Sequence, residues 1–216
     1  MARLPSPGAS YDRSVSAEGT RIEDGDSTYT VDLRGHVRFE IRDTDDDDDR
    51  DRDRDRTVRA VVTRFRMTGN PESAGSDLLG EIVVELDDDR DDDHDDDRDN
   101  LIRLTDDDRL EHLLALGLRV TLGRRGWDAS GEQAAGAEGA DAEARRRRVL
   151  RTREPARLRA NDLDRFPPDR DDEYRLRRAV DLYDRDDSDR DDSDRVVATI
   201  ERFPLEIGGR DNDDDD

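Results

Sequence analysis

Any chemistry in this chain would have to come from three histidines, sixty-one carboxylates and a few aromatic side chains. His36, His94 and His112 lie far apart, and none has a partner at metal-site spacing; the Glu111-His112 pair lacks the second histidine of a zinc-protease helix. All three read as surface histidines. No Gly-x-Ser-x-Gly occurs, and Ser73, Ser76 and Ser130 sit in loop contexts, so a serine nucleophile would need a triad assembled from distant segments. No catalytic residue is assigned. Phe166, Tyr174, Tyr183 and Trp127 are the aromatics able to line a pocket, although rings on strands more often fill a core.

The aspartate runs invite a metal. Calcium takes carboxylate oxygens from dense acidic loops, and Asp49, Asp51, Asp53 and Asp55 stand at D-x-D-x-D spacing. A calcium loop of the helix-loop-helix type begun at Asp49 would place Arg54 and Ala60 where glycine and glutamate belong, and one begun at Asp51 would place Arg56 and Val62 there. The four aspartates therefore stand only as weak ligands in an alternative reading with calcium as the cofactor; the main reading has no cofactor.

Composition excludes more than it assigns. Without cysteine there is no disulfide framework, thiolate zinc site or cysteine nucleophile. All 38 basic residues are arginine, so a phosphate-loop lysine, a Schiff-base lysine and a kinase lysine are excluded as well. Such usage fits a GC-rich genome or a salt-adapted proteome. Residues 43–56 (net −5), 87–99 (−8), 184–195 (−4) and 211–216 (−5) carry −22 of the net −23, so the remaining chain is nearly neutral. That negative field repels nucleic acid, and Arg145 to Arg148, with no interleaved aromatics, fits compensation of the chain's own aspartates better. The longest apolar cluster, Leu113 to Leu118, is far shorter than the roughly 20 residues of a membrane helix. The expected location is the cytoplasm.

The elements that must position these residues read as strands. Tyr29, Val31, Leu33, Val37, Phe39 and Ile41 share one parity, with Gly35 as the gap and a bulge or bend expected there. Residues 57–67, with apolar neighbours on both faces, then 79–86, 101–104, 114–122, 147–160, 174–183 and 195–207 continue the pattern, with a helical turn expected before Leu114. The expectation is all-β: an antiparallel β-sandwich or barrel of about eight strands with long acidic loop insertions. Residues 1–27 read as a disordered arm, 28–208 as one domain with disordered inserts at 43–56, 87–99, 124–146 and 184–195, and 209–216 as an acidic tail. Hairpin connectivity predicts that the inserts gather at one end of the sandwich, where cations or a basic protein partner would bind.

In the C-terminal third, Glu154-Pro155, Phe166-Pro167-Pro168, Tyr174-Arg175-Leu176, Leu182-Tyr183-Asp184, Val196 to Ile200 and Phe203 to Ile207 follow in an order that resembles uncharacterised bacterial β-rich domains of unknown function. The resemblance implies a β fold and carries no catalytic residue across. It leaves the expected function as a non-catalytic binding or structural module kept soluble by its anionic inserts, with low-affinity calcium binding as the alternative.

Overall fold

Alternating apolar residues become thirteen antiparallel strands in the computed structural model, which describes residues 2–25, 27–44, 56–71, 79–87, 100–124, 147–168, 172–184 and 195–208. In chain order these are β1 (Ser10–Asp24), β2 (Ser27–Arg42), β3 (Thr57–Gly69), β4 (Leu79–Leu86), β5 (Leu101–Leu104), β6 (Leu110–Leu116), β7 (Leu118–Arg124), β8 (Arg147–Thr152), β9 (Ala156–Leu163), β10 (Glu173–Leu176), β11 (Val180–Asp184), β12 (Val196–Arg202) and β13 (Leu205–Ile207). The all-β, antiparallel expectation holds; among the described residues the strands number thirteen rather than about eight.

The difference has two sources. One strand, β1, lies inside the segment expected to be a disordered arm. Four others split: the expected strands 114–122, 147–160, 174–183 and 195–207 are each two strands end to end, with Gly117, residues 153–155, 177–179 and 203–204 as the joints. At each joint the chain changes neighbours, both of them at the first three and one at 203–204, where β1 is kept and β11 gives way to β10. β6 pairs with β5 and β9, whereas β7 pairs with β4 and β8.

One sheet holds all thirteen in the order β12-β11-β8-β7-β4-β3-β2-β1-β13-β10-β9-β6-β5, and two further pairings, β12 with β1 and β5 with β3, return its ends to its middle. Two closed circuits result. The first comprises β1, β2, β3, β4, β7, β8, β11 and β12; the second comprises β1, β2, β3, β5, β6, β9, β10 and β13. The three longest strands are shared, since β1 meets β13 at Val15 and Ser16 but β12 at Arg21 to Asp24, and β3 meets β5 at Thr57 to Arg59 but β4 at Arg66 to Gly69. Every described strand thus has a neighbour on both sides over at least part of its length.

Bulges in the shared strands explain what the sequence pattern concealed. In β1 the buried residues are Val15 and Ala17, then Thr20 and Ile22; the parity changes where the register with β2 shifts between Ala17 and Thr20. Gly19 at φ +66 turns this bulge, and its N–H donates to Asp32 Oδ1 at 2.7 Å. In β3 the interior passes from Val58 and Ala60 to Phe65 and Met67 across a shift opposite Arg38 and Phe39, so one face is buried throughout rather than both. No register shift falls at Gly35: β2 runs through unbroken, and a Cβ there would stand 1.8 Å from the Arg66 carbonyl oxygen. The glycine answers close approach of β3, not a bend.

The flanks of the inserts do not share one end. Arg42 and Arg59, facing each other beside residues 45–55, lie at the far end of the second circuit. Gly123 faces Arg147, and Tyr183 faces Val196, at the far end of the first. Asp87 and Asn100, flanking 88–99, sit at the waist: the Asp87 N–H donates to the Gly117 carbonyl, and Asn100 Oδ1 accepts from the Ala115 N–H. A single acidic end is therefore corrected to three separate places. Residues 45–55, 88–99, 125–146 and 185–194, expected to be disordered, and the tail 209–216 lie outside the described residues.

Candidate binding site around His112

From Leu110 to Leu122 every even-numbered residue is buried, and His112 is one of them. The expected helical turn before Leu114 is instead the start of β6, which points Leu110, His112, Leu114 and Leu116 inward. His112 is 0% exposed, so its reading as a surface histidine is corrected. The signal was present in the alternation; the acids Asp106 to Asp108, which suit a helix N-terminus, masked it.

Aromatic rings enclose the imidazole. Phe166 stands edge-on at 5.2 Å and 88°, Tyr174 at 5.4 Å and 85°, and Phe39 at 6.0 Å and 66°. Phe39 and Tyr11 also meet Phe166, at 5.4 and 5.6 Å. These residues come from β1, β2, β6, β10 and the segment after β9, so they converge across the interior of the second circuit rather than along one strand pair.

Two polar atoms face each other inside this shell. His112 Nδ1 and the Tyr174 hydroxyl are 2.7 Å apart, and both side chains are fully buried. His112 Nε2 is buried with no hydrogen-bond partner among the described residues. An unmatched buried donor or acceptor costs about 1–3 kcal/mol, so one left in a core calls for an explanation. Burial lowers the His112 pKa to about 3 and raises that of Tyr174 well above its usual value, the Asp172 charge adding to the latter. At neutral pH the imidazole and the phenol are both uncharged.

Residues 2–9 run between β2 and the β5–β6 turn. The Gly8 N–H donates to the Ile41 carbonyl and the Ala9 carbonyl accepts from the Ile41 N–H, both at 2.8 Å, while the Ala2 N–H donates to the Asp108 carbonyl at 3.0 Å. Ile41 belongs to β2 and Asp108 to the β5–β6 turn, so this segment links two elements of the second circuit that are not neighbours in its strand order. Ala2 and Pro5 are buried, and Leu4 and Ala9 pack against the core.

The other residues singled out in the sequence are scattered. His36 is exposed on β2. Tyr183 is half-buried, with the Arg153 guanidinium 4.1 Å above its ring. Arg148 reaches Asp184 at 3.0 Å and Asp24 at 3.9 Å, the intramolecular compensation expected of that cluster. Asp49, Asp51, Asp53, Asp55, His94, Trp127 and the three loop serines lie outside the described residues, and among the described residues no cluster of three metal-ligating side chains occurs. No helix of the described residues is long and apolar enough to cross a membrane.

No protein-family model and no curated protein matches the chain. Among solved structures it is similar to DynF from the dynemicin biosynthesis pathway of Micromonospora chersina, with 17% identity and a TM-score of 0.62 over 95% of this chain and 82% of that one. At that identity the likeness concerns the fold.

Proposed function

We propose that this protein is a non-catalytic binding module, and that its two circuits are β-barrels, the second of which holds a small, mostly apolar molecule beside His112. The unmatched Nε2 of His112 inside an aromatic shell carries the reading, because a bound group would complete its hydrogen bonding. Eight-stranded barrels have interiors suited to filling by side chains or by one small ligand. The outer surface supports the same reading. Among the described residues Val196 is the one large hydrophobic side chain left exposed, so no apolar docking face is offered there to a protein partner. The anionic inserts act as solubilising elements.

Titration with N-phenyl-1-naphthylamine, whose fluorescence rises in apolar surroundings, tests this proposal. Saturable one-to-one enhancement is expected, with amide shifts in ¹⁵N-labelled protein centred on β2, β6 and β10. Shifts confined to the surface, or no saturable binding, would overturn it.

A further inference from the structure

The orientation of one proton narrows the ligand class. His112 Nδ1 and the Tyr174 hydroxyl share a single hydrogen bond at 2.7 Å, which can be drawn in two ways. If Nδ1–H donates, Nε2 is a bare acceptor and the hydroxyl hydrogen of Tyr174 needs an acceptor of its own, leaving two polar groups to satisfy. If Tyr174 O–H donates to Nδ1, only Nε2–H is left over. Since each unmatched buried group is costly, the second arrangement is the stable one, and it makes Nε2 a donor.

What surrounds that donor limits what it can bind. Among the described residues the buried polar or charged ones are Thr20, His112 and Thr152, with the Tyr174 hydroxyl beside them. Thr20 donates to the Ala17 carbonyl, and Thr152 accepts from the Leu118 N–H. No arginine of the described residues is buried as a whole, and Arg59 and Arg151, whose Nε atoms are buried, alternate with the inward-facing Val58, Ala60, Leu150 and Thr152, so no cation faces the interior to neutralise an anion, and an unpaired charge in such a setting is far costlier than a neutral acceptor. The edge-on rings of Phe39, Phe166 and Tyr174 leave the imidazole in a hydrocarbon shell that favours an uncharged guest.

We infer that the molecule held in the second circuit is uncharged and presents one accepting oxygen, of carbonyl, ether or hydroxyl type, to His112 Nε2–H, with Tyr174 as the positioning residue that sets the imidazole tautomer. This deepens the binding-module reading and rests on it.

Three probes of equal chain length separate the two claims: 2-undecanone, undecanoate and undecane, each titrated at neutral pH by displacement of N-phenyl-1-naphthylamine. The ketone is expected to bind about fivefold to tenfold more tightly than the alkane, as one neutral hydrogen bond provides, and the carboxylate more weakly than the ketone. His112→Phe should erase the ketone's advantage while leaving alkane binding in place. A readout without any substitution accompanies this: in histidine-labelled wild-type protein the nitrogen shifts should report the Nε2–H tautomer, with Nε2–H moving on ketone addition and not on alkane addition. Tyr174→Phe should mix the tautomers. Equal binding of ketone and alkane, tightest binding of undecanoate, or an Nδ1–H tautomer would each overturn this inference while the binding reading stood. Failure of all three probes to bind would remove both.

Discussion

At the scale of single residues, His112 couples the interior to pH. Its pKa falls from 6.5 to about 3 on burial, so between those values the unfolded chain binds a proton that the folded chain refuses. Stability from this group is complete above about pH 6.5, is lost as pH falls toward 3 at roughly 1.4 kcal/mol per pH unit, and does not fall further below that. His112→Phe should flatten the acid limb of a plot of urea-unfolding free energy against pH by about one proton relative to wild type; parallel limbs would show that the imidazole is not the group that titrates. Gly35 makes a second prediction at this scale. A methyl group there meets the Arg66 carbonyl oxygen at 1.8 Å and the Met67 Cα at 2.7 Å, both backbone, so Gly35→Ala must push β2 from β3 where the two circuits join. A loss of at least about 1–3 kcal/mol is expected, as for overpacked cores, read as a lower urea midpoint.

At the scale of elements, the segment 2–9 and strand β1 are one continuous piece with two duties. β1 contributes to both circuits and pairs with β2 from Ser10 to Asp24. The segment before it is held by far fewer hydrogen bonds, at Gly8, Ala9 and Ala2, and packs Ala2, Leu4 and Ala9 on the core. Removing residues 2–9 should leave the sheet intact, since none of them belongs to a strand, while exposing the core that Ala2 and Pro5 cover. Stopped-flow association and dissociation of N-phenyl-1-naphthylamine should both accelerate, with far-ultraviolet circular dichroism unchanged. Unaltered rates would place the route to the interior elsewhere. The joints are the other element-level device: four strands change partners within one to three residues, which lets one chain line two circuits without a long connection.

At the scale of the whole molecule, charge and fold are separable. Each insert leaves and re-enters at neighbouring backbone: Arg42 faces Arg59, Gly123 faces Arg147, Tyr183 faces Val196, and residues 87 and 100 both bond to the stretch 115–117. Replacing 45–55, 88–99, 125–146 and 185–194 with short glycine-rich links therefore closes gaps that are already narrow, and the shortened protein should fold with its unfolding cooperativity preserved. Loss of the cooperative transition would assign those segments to the fold. Because −22 of the −23 charges lie in the four acidic runs, dilution from molar salt to about 0.1 M, where charges more than ~10 Å apart are still screened, should lower the full-length protein's stability only mildly. The described surface is laced with cross-strand pairs such as Arg119 and Arg66 with Glu85, and Arg159 with Glu111, each worth at most about 1 kcal/mol and expected to strengthen modestly on dilution.

How much of this was legible without coordinates depends on how far a pattern is local. The run of odd-numbered apolar residues from Tyr29 to Ile41 dictates a strand with one buried face, and the same parity rule holds for the even residues from Leu114 to Leu122, because side-chain direction along a strand follows from its own backbone. Strand β1 escaped this rule: its bulge at Gly19 moves the buried parity from odd to even, and four buried residues among fifteen do not stand out in a polar segment. The splitting of strands 114–122, 147–160, 174–183 and 195–207 was equally hidden, since a strand that changes neighbours keeps its alternation and only its partners reveal the change. His112 shows the boundary within one residue. Its parity with Leu110 and Leu114 was in the sequence and determines that it points inward; that Tyr174, sixty-two residues away, would occupy Nδ1 and leave Nε2 without a partner depends on pairings closing across a circuit, which no local pattern encodes.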